Sequence, residues 1–272
     1  MNSTQFRSSR PFRQKQIPSS PRSFLLATNE KSDTCRVMKN SLSVLLFCFL
    51  LSSCGEEKTR KGRAEAGNAE APLVKDSKAM IRKILCLHGG GGDAKTFQVD
   101  PGITDLRNAL GDDYEFVFAQ AQNNGLWMRD PPRGKSNPTT DPEWASKSVG
   151  ILNKIVAEQG PFYGILGYSQ GAAFIPVYLA QIPEGTFQIA VMFGGYLPTT
   201  HQGLISRIKT ESPFKDIPAL VWMGGQDWIA NENLASPFMK PTVLRSSKAD
   251  HIIPLRSDPT FTRVVQKIKS DS

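Results

Sequence analysis

From residue 80 onward, short and nearly continuous apolar runs alternate with stretches of helical periodicity, which leaves few folds open to the chain. The runs cover residues 81–87, 114–119, 162–166, 188–193, 219–223 and 242–245. A strand that is apolar at almost every position has no face for water, so it suits a parallel sheet covered on both sides. Helical candidates lie between and after the runs, at 103–110, 144–158, 170–181, 201–209 and 258–269. In the second of these, Val149, Leu152, Ile155 and Val156 recur at helical intervals and form one apolar stripe. Such alternation predicts one doubly wound, mostly parallel α/β domain over residues 80–272. Pro176 falls inside a predicted helix and is expected to kink or shorten it, having no N–H for the helical ladder.

The formal net charge of +8 would suit a nucleic-acid partner if it lay on the folded body. It does not. Residues 1–53 carry eight Lys/Arg against two Asp/Glu, residues 54–79 six against five, and residues 80–272 nineteen against eighteen. A near-neutral body offers no basic stripe to a phosphate backbone, so no nucleic-acid partner is expected. Of four cysteines, Cys35, Cys48 and Cys54 precede the body. Only Cys86 lies within it, as a small apolar residue of Ile84-Leu85-Cys86-Leu87, so no disulfide framework is available there.

The N-terminal region has its own logic. Met38-Lys39-Asn40 precedes an apolar stretch at 42–51, then Ser52-Ser53-Cys54-Gly55. That stretch is too short to span a bilayer as a helix but suits the core of a signal peptide. Leu51-Ser52-Ser53-Cys54 resembles the bacterial lipoprotein box, which implies lipidation of Cys54 and anchoring on the extracytoplasmic side of a membrane. Residues 38–53 would then be the signal peptide and 54–79, polar and alternately charged, a flexible tether. Residues 1–37 are accounted for in three ways. Met38 is the start and an upstream start choice adds them. Alternatively, Arg- and Ser-rich residues 1–29, which lack acids, form an organellar transit peptide. In the third reading the tail has no targeting role, which leaves a cytoplasmic protein.

Within the body, residues 164–174 read GILGYSQGAAF and contain G-x-S-x-G. Ser169 follows an apolar run and precedes a helical candidate, the context of a nucleophile elbow. The tight turn crowds its neighbours, so Gly167 and Gly171 have to lack side chains. A serine hydroxyl is a weak nucleophile and needs a base, itself oriented by a third group. His251 follows the last run, whereas His88 ends the first and leads into the glycines at 89–92. His201 opens a helical candidate and reads as a surface residue. Three scattered histidines offer no metal-ligand spacing, and no metal is expected.

Asp227 directly follows the run 219–223 and gives the chain order Ser169, Asp227, His251, which hydrolase triads on this kind of sheet take. Asp216 precedes its strand, at the wrong sheet edge, and Asp250 is too close along the chain to receive the ring N–H of His251. A glycine-rich turn can present N–H donors to a developing oxyanion, with the N–H of Gln170 as the second. The same turn could be a flexible connection, and it lacks the G-K-[ST] ending of a phosphate loop. The long stretch 121–143, rich in Pro, Asn and Gly, suits a functional loop. Its Trp127 and Met128 either line a pocket or anchor the loop on the body.

ILCLHGGGG, GILGYSQGAA, VWMGGQDWI and KADHIIP resemble the four signature stretches of the FSH-type (fungal serine hydrolase) family. This branch of the α/β-hydrolases also includes ovarian-cancer-associated proteins. The elbow is similar, too, to that of the phospholipase/carboxylesterase and acyl-protein thioesterase group. The resemblance covers about residues 81–270. It implies an α/β-hydrolase fold and cofactor-free cleavage of short or medium acyl esters or thioesters. Ser169 would be the nucleophile, His251 the base, Asp227 its orienting acid, and Gly90 and Gln170 the oxyanion donors. Where these relatives commonly carry a bulky apolar residue after His-Gly, this chain has glycine. The reading from another class is a non-catalytic, membrane-anchored binding protein on a hydrolase fold.

Overall fold

The computed structural model describes residues 80–132, 134 and 137–270. The signal-like segment, the tether and Cys54 lie outside the described residues.

Each apolar run forms one strand: β1 (Arg82–Leu87), β2 (Tyr114–Ala119), β3 (Gly164–Tyr168), β4 (Ile189–Phe193), β5 (Ala219–Gly224) and β6 (Thr242–Ser246). They make a six-stranded sheet in the order β2-β1-β3-β4-β5-β6, and every neighbouring pair is parallel. The helices are α1 (Ala94–Gln98), α2 (Pro101–Leu110), the single turn α3 (Gln122–Gly125), α4 (Ser146–Gln159), α5 (Gln170–Leu179), α6 (Gln202–Glu211) and α7 (Phe261–Ser270).

Side chains alternate across the sheet with the two-residue period of a strand. Leu85 and Leu87 of β1 enter one apolar cluster, Ile84 and Cys86 the other. Likewise Val221 and Met223 of β5 face the first, and Leu220 and Trp222 the second. The first cluster is closed by Val149 and Leu152 of α4, Phe174 and Val177 of α5, and Leu204 and Ile208 of α6. The second is closed by Phe97 of α1, Ile103 and Leu106 of α2, and Val264 and Ile268 of α7. Burying each such side chain contributes about 1.5–3 kcal/mol, which is why both faces need cover.

The sequence reading passed over α1, whose five residues are too few for a periodic stripe; Asp93 caps it by accepting the Thr96 N–H. At α2, Asp100 caps the helix with Pro101 at its first turn, and Gly111 ends it at φ 80°. Pro176 lies within α5, which continues past it to Leu179. Its carbonyl still accepts the Ala180 N–H at 3.2 Å, and every residue from Gly171 to Tyr178 is buried. That burial outweighs a proline cost of about 3 kcal/mol.

The strand order places β1 between β2 and β3, so connections leave β1 and β3 in opposite directions. The crevice beyond the carboxyl ends of strands at such a switch point is where open α/β sheets bind ligands.

Candidate active site

β3 ends at Tyr168, and the chain turns at Ser169 with φ 53° and ψ −117°. A non-glycine residue there costs on the order of 1–3 kcal/mol and persists only when its surroundings hold it. They do: the Ser169 N–H donates to Phe193 O at 2.9 Å, and Ser169 O accepts the Ala173 N–H at 3.0 Å. A Cβ on Gly167 would stand 2.6 Å from the Gly171 and Ala172 backbone, and one on Gly171 would stand 2.4 Å from Leu87 O. Both glycines of the motif therefore answer a steric demand, Gly167 because the elbow folds back on it and Gly171 because the elbow crosses over the end of β1.

The turn aims the serine at His251. The Ser169 Oγ–H reaches His251 Nε2 at 2.9 Å, and His251 Nδ1 lies 2.8 Å from Asp227 Oδ2. A carboxylate can only accept, so Nδ1 carries the ring proton and Nε2 is left free to accept from the serine. The Asp227 side chain is fully buried. Its Oδ1 accepts the N–H groups of Ile229 and Ala230, at 2.9 and 3.0 Å, which fixes the carboxylate plane. The Asp250 carboxylate accepts the backbone N–H of His251, not its ring, and exposed Asp216 precedes β5 at the opposite sheet edge.

Two supports for this chain escaped the sequence reading. Gly194, at φ 58° after β4, lies where a Cβ would come 3.1 Å from His251 Nδ1 and 3.2 Å from Asp227 Oδ2. The Gly194-Gly195 doublet after an apolar run was a usable signal. Tyr168 donates its hydroxyl to His251 O at 2.7 Å, and its ring lies 5.0 Å from the imidazole. Burial first, then nearby Asp100, Asp227 and Asp250, push the phenol up to about 12, so it stays a donor at neutral pH. Nothing in the local sequence marks that contact, which joins residues 83 positions apart.

The glycine turn is held from three sides. Gly91 N–H donates to Gly125 O and Gly92 N–H to Gly89 O, while among the described residues no acceptor takes the N–H of Gly90. Gly90 lines a cleft together with Ser169 and Gln170. His88 is buried; its Nε2 accepts the Ala121 N–H, so its Nδ1–H donates to Gly89 O at 2.7 Å. The indole of Trp127 donates to His88 O at 2.8 Å. His88 is thus a fastener of the turn.

Burial holds the His88 imidazole below the ordinary histidine value, against the opposing pull of its Gly89 bond and Asp93. The unfolded chain would protonate the ring near about pH 6.5, so folded stability falls as pH drops below that point. Urea midpoints at pH about 7 and about 5 are expected to differ more in wild type than in His88→Asn. An equal drop in both proteins would contradict this.

The cleft above Ser169 holds about 590 Å³. Leu126 and Met128 form one wall, the segment Tyr196 to His201 another, and Trp228 and Ile229 a third. Trp228 is 85% exposed and stands at the rim. The two readings of the long loop divide between its residues. Trp127 anchors the loop, buried and stacked on Phe174, and Met128 lines the cleft. His201 is a correction: it is 5% exposed, not a surface residue. Its Nε2–H donates to Arg129 O at 2.9 Å, and Trp144 donates to the same carbonyl at 2.8 Å, so it pins the loop from beneath.

With this geometry in view, the Serine hydrolase (FSH1) family model matches residues 126–261, half of the chain. The chain belongs to the FSH1 serine hydrolase family. The matched span of this FSH1-family hydrolase contains Ser169, Asp227 and His251, and begins after the glycine turn. Esterase C25G4.2 of Caenorhabditis elegans is 25% identical over 200 residues, covering 64% of this chain and 87% of that protein. Esterase OVCA2 of Danio rerio is 25% identical over 193 residues, covering 58% and 82%. The carboxylesterase of Bacillus cereus shares the fold, with a TM-score of 0.51 at 16% identity over 71% of this chain and 90% of that one.

Proposed function

We propose that this serine hydrolase cleaves carboxylic esters or thioesters through an acyl-enzyme on Ser169. The observation that carries the reading is the continuous hydrogen-bond chain from Asp227 through His251 to Ser169, opening on the cleft. As Ser169 Oγ bonds to the acyl carbon, its proton passes to His251 Nε2. His251 then gives that proton to the departing alcohol or thiol as the acyl–leaving-group bond breaks. Water repeats the sequence in reverse, losing a proton to Nε2 and freeing the acid and Ser169. Asp227 keeps the second ring proton on Nδ1 and stabilises the imidazolium. The N–H groups of Gly90 and Gln170 are assigned to the oxyanion, where one such donor is worth about 10²–10³ in rate.

The cleft's size suits a short or medium acyl chain. Among the described residues Asp130 puts a carboxylate in its lining, which disfavours anionic acyl groups. Esters and thioesters from acetyl to decanoyl, supplied to wild type and Ser169→Ala, test the proposal. Turnover confined to wild type is expected. No serine-dependent turnover across the set would favour a binding protein on this fold.

Anchoring through Cys54 is a separate proposal, supported by the lipoprotein-like box at 51–54. Mass spectrometry of the mature N-terminus should find cleavage before Cys54 and an acylated cysteine. A mature chain beginning elsewhere would refute it.

A further inference from the structure

The side chain of Gln170 does something distinct from its backbone N–H. Its Oε1 accepts the Trp127 N–H at 2.8 Å and lies 3.4 Å from the Met128 N, while its Nε2–H donates to Met128 O at 3.0 Å. The amide thereby copies one rung of a β-ladder. A primary amide supplies both a donor and an acceptor to the loop backbone, as no carboxylate or ammonium can. On its other side it packs on the glycine turn, since a Cβ on Gly90 would stand 3.2 Å from Gln170 Cδ. One side chain therefore ties together the elbow, the Gly90 turn and the Leu126–Met128 wall of the cleft.

The tie matters because Trp127 and Met128 are 1% and 2% exposed, so their backbone groups have little access to water. Without Gln170 the segment must shift to satisfy them, and Leu126 and Met128 move with it. The loop would not come free, because the Trp127 indole bond to His88 O and the Ser148 bond to Trp127 O remain. A displaced wall, not an unfolded one, is the consequence.

We propose that Gln170 is a positioning residue whose side chain keeps the Leu126–Met128 wall in register with the oxyanion donors and so sets acyl-length preference. This rests on the acyl-hydrolase reading of the same site. Gln170→Leu keeps the bulk and removes both bonds. Gln170→Glu keeps an acceptor for the Trp127 N–H and removes the donor to Met128 O. Two readouts are taken: amide hydrogen exchange at Trp127, and kcat and KM for acetyl and octanoyl esters.

In Gln170→Leu, the Trp127 amide should exchange about tenfold faster or more, as expected for a buried donor left without its partner. In the same variant, kcat/KM for the octanoyl ester should fall about tenfold further than for the acetyl ester. Gln170→Glu should keep the Trp127 protection while sharing the loss of length preference. Unchanged exchange in Gln170→Leu, or equal losses on both esters, would overturn the proposal and leave the hydrolase reading intact. Wild type without turnover on either ester would remove both.

Discussion

Ser169→Ala is expected to lower kcat on any ester the wild type hydrolyses by about 10⁴–10⁶-fold and to abolish labelling by a fluorophosphonate probe. Alanine keeps the Cβ that Ser169 already carries at φ 53°, so the substitution leaves the strained turn as it is. The bonds that hold the turn, Ser169 N–H to Phe193 O and Ala173 N–H to Ser169 O, belong to the backbone and survive. The melting temperature should therefore stay close to wild type while chemistry is lost. Probe labelling that persists in the variant would show that another residue is the nucleophile.

Asp227→Asn is expected to cost about 10⁴ in kcat, with little change in fold, because of where its amide must point. The Ile229 and Ala230 N–H groups demand an acceptor on their side, so the Asn oxygen turns to them and its NH₂ faces His251 Nδ1. Nδ1 then has to accept, the proton moves to Nε2, and Nε2 can no longer take the proton of Ser169. Asp250→Asn is the control, since its Oδ1 still accepts the His251 N–H, and activity should stay within about threefold of wild type. Steady-state kinetics on both variants with one ester decides the assignment. A large loss in Asp250→Asn alongside a small one in Asp227→Asn would exchange their roles.

Most of the architecture was legible because parallel strands covered on both faces leave a plain mark. All six apolar runs became strands, and helices appeared at each of the five predicted places. The motif Gly167-Tyr168-Ser169-Gln170-Gly171 was legible for a related reason. A nucleophile elbow crowds its neighbours so severely that only glycine fits at two fixed positions. Misreadings arose where a residue's environment comes from distant chain. His201 looked like a solvent-facing helix start, yet Arg129 O, contributed by the long loop, gives its ring a buried partner.

The sequence by itself determined the alternation of strand and helix, the elbow and the chain order of Ser169, Asp227 and His251. These are local properties, written in periodicity and in the need for glycine at particular steps. Only the tertiary structure decided which loops wall the cleft and how the Asp227 carboxylate is held. It also decided what the Gln170 amide holds. Those depend on the strand order, which lays β3 beside β1, and on the parallel pairing, which brings the loops after all six strands to one sheet edge. A hydrogen bond between groups tens of residues apart leaves no periodic trace in the chain, so folding alone brings such partners together.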